Sequence, residues 1–216
     1  MKVIDLSVQI GSDTFGPPST NLKVQLEPHY RGPGYWISSS IAMSIHTGSH
    51  VDSPSHVFKD GTHVDAIEPE RLVGNPNILR LEPAESEGIK PEHLKKHKIS
   101  QGDLLLLNTG WSDRMWGRFP EYYTKSPYLT PEAAQYLASL KIRAVGFDFF
   151  EEYSARLPQF GSEDFVVHRT LLGGGVILME HLTNLGALTP DAIFVAAPLK
   201  LKSVDGAPAR FYGVVP

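Results

Sequence analysis

A chain of 216 residues with 41% hydrophobic and 20% charged side chains can bury a substantial core, so one domain over 1–216 is expected and disorder is excluded. A formal net charge of −4, with no Lys/Arg run longer than two, leaves no basic field to recruit nucleic acid, and none is expected as a partner. The absence of cysteine excludes disulfides, thiolate ligands and a Cys nucleophile together, so a bound metal must be held by nitrogen and oxygen.

In chain order, the N-terminal MKVIDLSVQI reads as a strand over 2–10, and Asp5 interrupts what would have to be the apolar centre of a signal peptide. No stretch approaches the roughly 18 apolar residues of a membrane span, so a cytoplasmic protein with no membrane partner is expected. Runs at 22–26 and 35–45 are rich in β-branched or aromatic residues and read as strands joined by irregular loops. Asp103-Leu-Leu-Leu-Leu-Asn-Thr109 and Arg143-Ala-Val-Gly-Phe-Asp-Phe149 are short apolar runs of the kind buried on both faces. Between them, Thr130-Pro131 followed by good helix formers to Leu140 predicts a helix with a Thr N-cap and Pro in its first turn. A second helix is predicted to open at Ser162, with Glu163 and Asp164 in its first turn, and to stop at Gly173–Gly175, placing His168 in its middle. Val176–Met179 reads as a strand ending at Glu180, and 192–197 and 211–215 as further strands. The sum is a mixed, β-rich α/β protein.

The densest chemistry lies in His46-Thr-Gly-Ser-His50-Val-Asp52-Ser-Pro-Ser-His56. His46, His50, Asp52 and His56 all occupy even positions, so wherever this segment is extended they project to one face. Neutral imidazole and carboxylate suit zinc, manganese or iron, and Gly48 and Pro54 supply bends that curve the outer members toward a common centre. His29, His63, His93 and His97 read instead as ordinary hydrogen-bonded or solvated residues, the last two being four apart in a Lys-rich stretch.

This segment resembles the HxGTHxDxPxH pattern of the cyclase family of metal-dependent hydrolases, with Ser49 where Thr is usual. Ile4-Asp5-Leu6-Ser7, Thr109-Gly110-Trp111 and the later His168 and Glu180 resemble further landmarks of that family, in the same order. The resemblance implies a β-rich swivelling β/β/α fold and a divalent metal, Zn or Mn, as one or two ions. It implies that His46, His50 and Asp52 bind one metal, that Asp52 can bridge to a second on His168 and Glu180, and that His56 acts beside the metal as general acid/base. It further implies hydrolysis of an arylformamide or a cyclic amide or imide, a small-molecule substrate, and a homodimer or homotetramer.

Trp111, Trp36 and Phe149, with Phe150, are candidates for an apolar wall around a planar substrate, with ordinary packing as the competing account. Asp148-Phe-Phe-Glu151 and His181 depart from the residues usual at these positions in the family. The loops around Gly16-Pro17-Pro18 and Tyr122-Tyr123 are the candidate contact surfaces. Lactone or ester hydrolysis is the nearest alternative activity. An iron(II) oxygenase using His50, Asp52 and His168 as a two-His-one-carboxylate triad is the alternative from another class, and a metal-binding protein without catalysis is the third.

Overall fold

The computed structural model describes residues 1–20 and 22–216. The described residues form thirteen strands: β1 (Lys2–Asp5), β2 (Gln25–Arg31), β3 (Trp36–Ala42), β4 (His50–Asp52), β5 (Val73–Gly74), β6 (Asn77–Arg80), β7 (Gly88–Ile89), β8 (Leu104–Asn108), β9 (Tyr128–Leu129), β10 (Ala144–Phe147), β11 (Ile177–Glu180), β12 (Ile193–Pro198) and β13 (Gly206–Val215). Five short α-helices accompany them: α1 (Pro91–Leu94), α2 (Trp111–Met115), α3 (Glu121–Thr124), α4 (Pro131–Ser139) and α5 (Val166–Gly173). No helix among the described residues is long and apolar enough to cross a membrane.

Nine strands form one sheet in the order β5-β12-β13-β4-β11-β10-β8-β6, with β1 paired to β13. The half containing β11, β10, β8 and β6 is parallel, and the half containing β1, β13, β12 and β5 is antiparallel. β4 joins the two halves, antiparallel to both β11 and β13. β8, β10 and β11 are buried on both faces, as their continuous apolar runs predict, whereas β6 at the edge is only partly covered. In β8, Leu105 and Leu107 enter the core under α4 and α5, while Leu104 and Leu106 enter the core on the opposite face.

The predicted helix over 130–140 is α4, and the Thr130 hydroxyl accepts the Ala133 N–H at 3.3 Å as its cap. The helix expected from Ser162 is divided. A single 3₁₀ turn at Ser162–Asp164 is followed by a break at Phe165, whose ψ of 61° cannot continue a helix, before α5 begins at Val166. The N-terminal strand is shorter than 2–10, because after Asp5 only one isolated bridge, Ser7 to Leu182, continues the pairing. The 35–45 run contains β3, but the 22–26 run meets β2 only at Gln25 and Leu26, the strand continuing instead to Arg31; the two form a hairpin in which every residue from 25 to 42 is exposed.

Candidate metal centre

β4 is extended over three residues only, so one-sided projection holds for His50 and Asp52 but cannot by itself place His46 or His56. Turns bring those two in. Gly48 takes a left-handed φ of +68°, and a Cβ there would lie 2.6 Å from Ile10 Cδ1, so both conformation and space require glycine. Beyond β4 the 3₁₀ turn Pro54–His56 folds His56 back toward the same centre.

The sheet register sets the next members. Glu180, at the end of β11, pairs directly with His50, and Gly206, at the start of β13, pairs with Asp52. A Cβ on Gly206 would approach Val51 O to 2.8 Å and Asp52 Oδ1 to 3.3 Å, so the strand beside the carboxylate must be bare. The His50 Nδ1–H donates to the Gly48 carbonyl at 2.8 Å, which turns Nε2 inward, 3.2 Å from Asp52 Oδ1 and 3.7 Å from Glu180 Oε2. His46 Nδ1 lies 2.9 Å from Asp52 Oδ1. On α5, His168 presents Nε2 to Glu180 Oε1 at 2.9 Å and to Asp52 Oδ2 at 3.4 Å. Asp52 thus has one oxygen toward His46 and His50 and the other toward His168, the placement a bridging carboxylate needs.

Four further residues complete the cluster. Asp205 Oδ2 accepts from His46 Nε2 at 2.7 Å and from His56 Nδ1 at 3.1 Å, tying a ligand candidate to the acid/base candidate. Glu152 Oε1 accepts from both the backbone N–H (2.8 Å) and the Nδ1–H (2.9 Å) of His168, fixing which nitrogen faces the centre. Glu151 Oε1 lies 3.3 Å from His168 Nδ1, and the His181 ring is fully buried beside Glu180. Sequence reasoning missed Asp205 and Glu152 and registered Glu151 and His181 only as departures from a family pattern. A signal was present: two adjacent carboxylates soon after a wholly apolar buried strand have few structural uses other than pairing with cations.

The field of these carboxylates is plain in the titration behaviour. Burial alone would lower the His46 pKa, but Asp52 and Asp205 outweigh it and raise it to about 10. The same competition, won by Glu151, Asp52, Glu152 and Glu180, raises His168 well above the usual imidazole range. Burial opposes ionisation of Asp52 and Glu180, yet neighbouring histidines hold Asp52 well below the ordinary carboxylate range and bring Glu180 to about 2. Burial instead dominates at Glu151, whose carboxyl is pushed well above its ordinary value, and at His181, which is lowered to about 3.

The residues fit a divalent cation. Asp52 Oδ2, Glu180 Oε1, both Glu151 oxygens and His181 Nε2 are buried without a hydrogen-bond partner among the described residues, a costly arrangement that a cation relieves. The ligand atoms of His46, His50 and Asp52 lie within 4.8 Å of one another, as do those of Glu151, His168 and Glu180.

The aromatic wall expected from Trp111, Trp36 and Phe149 does not form. Trp111 and Phe149 are buried in the helix-side core, the indole N–H of Trp111 donating to Tyr122 O at 2.9 Å, while Trp36 lies on the exposed hairpin, stacked by Arg31 at 4.7 Å. A cavity of about 420 Å³ next to His56 is lined instead by Val57, Phe58, Lys59, Phe165 and Arg169. Tyr122 and Tyr123, expected on a contact surface, are buried, and Pro17 is buried as well, because these rings pack behind the site. Phe150 is likewise buried in the core. His29 bonds Ser40 on the hairpin, His63 is exposed, and His93 and His97 line a separate surface cavity, so none of the four joins the cluster.

A mixed sheet whose central strand carries a histidine and a potentially bridging aspartate, with carboxylates backing the remaining histidines, defines the class of nitrogen- and oxygen-ligated divalent-metal sites. The chain belongs to the Cyclase family ("Putative cyclase"), whose sequence profile matches residues 4–151. It is 26% identical over 208 residues to a kynurenine formamidase of Bacillus mycoides, covering 96% of this chain and 94% of that protein. Among solved structures it is similar to isatin hydrolase A from Labrenzia aggregata bound to benzyl benzoate, at 28% identity and TM-score 0.82, covering 99% of this chain and 93% of the other. It is also similar to a predicted metal-dependent hydrolase from Bacillus stearothermophilus, at 29% identity and TM-score 0.76 over 98% and 97% of the two chains.

Proposed function

We infer that this chain is a metal-dependent hydrolase of a non-peptide amide bond in a small molecule, an arylformamide or a cyclic amide or imide. One or two divalent ions, Zn or Mn, are held by His46, His50, Asp52, His168 and Glu180, with His56 outside the ligand set as general acid/base. The observation that carries this reading is Asp52, wholly buried, with its two oxygens directed at two separate groups of histidines while His56 stands between the cluster and a cavity. The relatives named kynurenine formamidase and isatin hydrolase support an amide as the bond cleaved.

A divalent cation, when bound, lowers the pKa of its water from 15.7 to about 7 and polarises a carbonyl. The chain's own groups supply the rest. Asp205 accepts the His56 Nδ1–H, which leaves Nε2 free to take a proton from the attacking water and return it to the departing nitrogen. Phe58, Val57 and Phe165 form an apolar wall for a planar ring, and Lys59 and Arg169 supply positive charge for the carboxylate that amide cleavage creates. No Ser or Cys nucleophile is required.

Asp205 is a positioning residue in this scheme. Asp205→Asn is expected to lower kcat on the order of 10²-fold by freeing the His56 tautomer, while metal affinity falls no more than about 10- to 100-fold; steady-state kinetics at saturating metal, beside metal titration, separate the two effects.

The test of the function is a screen of an arylformamide, a cyclic imide, a lactone and an aryl ester with the metal-stripped protein, resupplied separately with zinc and manganese. Turnover is expected to be fastest on an amide and to vanish with chelator. Preference for the lactone or ester would move the protein to that alternative, and turnover that needs oxygen and iron would overturn the hydrolase reading. Against an oxygenase triad of His50, Asp52 and His168 stands the use of His46 and His56, which such a triad leaves without a role.

We further propose a homodimer, or a homotetramer assembled from it, in which a second copy covers the hairpin of β2 and β3. A two-stranded hairpin is marginal alone, and this one exposes Leu26, Tyr30, Ile37 and Ile41 together with Tyr35 at 83% and Trp36 at 50%. Sedimentation at micromolar concentration should show the oligomer, and replacing Leu26 and Ile41 by Lys should dissociate it; a monomeric parent protein rejects the proposal.

A further inference from the structure

His181 follows β11 directly, and its backbone φ of +56° is a left-handed conformation that residues with a side chain seldom adopt. The ring it carries is enclosed on all sides. Which of its nitrogens donates can be traced through a chain of hydrogen bonds. Ser112 Oγ donates to the Asp148 carbonyl at 2.7 Å, because that oxygen can only accept. With its single proton committed, Ser112 Oγ accepts from Tyr122 Oη at 3.0 Å. Tyr122, its own proton now used, accepts from His181 Nδ1 at 2.9 Å. With Nδ1 donating to Tyr122, Nε2 is the ring nitrogen left to present a lone pair to a cation.

That atom has no hydrogen-bond partner among the described residues, and it faces Glu180 Oε2 at 3.6 Å. A buried imidazole nitrogen and a carboxylate oxygen too far apart to bond each other leave polar capacity unsatisfied, which a cation between them relieves. His50 Nε2 approaches the same Glu180 oxygen at 3.7 Å, and the ligand atoms of His50, Glu180 and His181 lie within 4.8 Å of one another. We propose that His181 Nε2 is a further nitrogen ligand of the cation held on His50 and Glu180, its tautomer set by the relay through Tyr122 and Ser112. The proposal rests on the metal-site reading above and deepens it. A donor set enriched in imidazole favours zinc over manganese, which prefers oxygen.

The test uses the full-length protein, stripped of metal and titrated with zinc chloride or manganese chloride, with the visible spectrum of the cobalt(II)-loaded form as a report on ligand number. His181→Asn tolerates the left-handed backbone and removes the imidazole donor. It is expected to weaken zinc at least about 10-fold, to change manganese much less, and to alter the cobalt spectrum. Tyr122→Phe keeps the ring of His181 and releases its tautomer, and is expected to weaken zinc about 3- to 10-fold. Zinc affinity and cobalt spectrum unchanged in His181→Asn overturn the proposal, as does unchanged zinc affinity in Tyr122→Phe should the first variant not fold. His50→Ala separates the two readings: loss of zinc there with no effect at 181 removes His181 alone, whereas a parent protein that binds no cation removes both.

Discussion

His50→Ala is expected to abolish metal binding and hydrolysis together. The Nδ1–H of His50 is committed to the Gly48 carbonyl, its Nε2 lies 3.2 Å from Asp52 Oδ1 and 3.7 Å from Glu180 Oε2, and its ring is almost wholly buried, so its loss leaves both carboxylates without the nitrogen that faces them together. Loss of even an outer-shell partner of a metal ligand costs about 10- to 100-fold in affinity, and loss of a central ligand should exceed that. Metal analysis after dialysis is expected to find less metal than one equivalent, and turnover should fall below detection. The stripped variant should still unfold cooperatively, because β4 keeps its pairing to β11 and β13 without the imidazole. A variant that retains stoichiometric metal would remove His50 from the ligand set.

His56→Ala should behave in the opposite sense, keeping the metal and losing the rate. His56 sits in a 3₁₀ turn outside β4, its Nδ1 bonded to Asp205, and it is more exposed than His46, His50 or His168. General acid/base catalysis contributes about 10²- to 10⁴-fold, so kcat and kcat/KM should fall together by that factor at unchanged metal content. If the alanine variant instead strips the metal, the division between ligands and proton carrier is wrong. Asp205→Asn and His56→Ala act on one step, so the double variant should lose little more than His56→Ala alone.

Much of the fold was legible because its cues are local. Four consecutive leucines in β8 announce a strand covered on both faces, and Thr130-Pro131 announces the start of α4 through a cap and a fixed φ. The helix expected from Ser162 was less legible, since nothing in the sequence marks the break at Phe165 that lets His168 ride on a separate helix. The aromatic residues were the weakest guide. Trp111, Phe149 and Phe150 are as apolar as a binding wall would be, and only their burial under the helices identifies them as core, whereas Phe58 and Phe165 line the cavity beside His56.

The chemistry of the donors and the bends at Gly48 and Pro54 are written in consecutive residues between His46 and His56. Ligand type is a property of the side chain, and a glycine and a proline bend the backbone wherever they fall. Which distant residues meet that segment was decided by the tertiary structure. Glu180 stands opposite His50 because β11 pairs with β4 in that register. Gly206 stands opposite Asp52 because β13 pairs with β4 on its other side, which delivers Asp205 to His46 and His56. Strand pairing over more than a hundred residues depends on the whole sheet closing with its apolar faces covered, and no local pattern encodes it. Nor does composition reveal that His181 turns Nε2 inward, because that follows from a hydrogen-bond relay through three other parts of the chain.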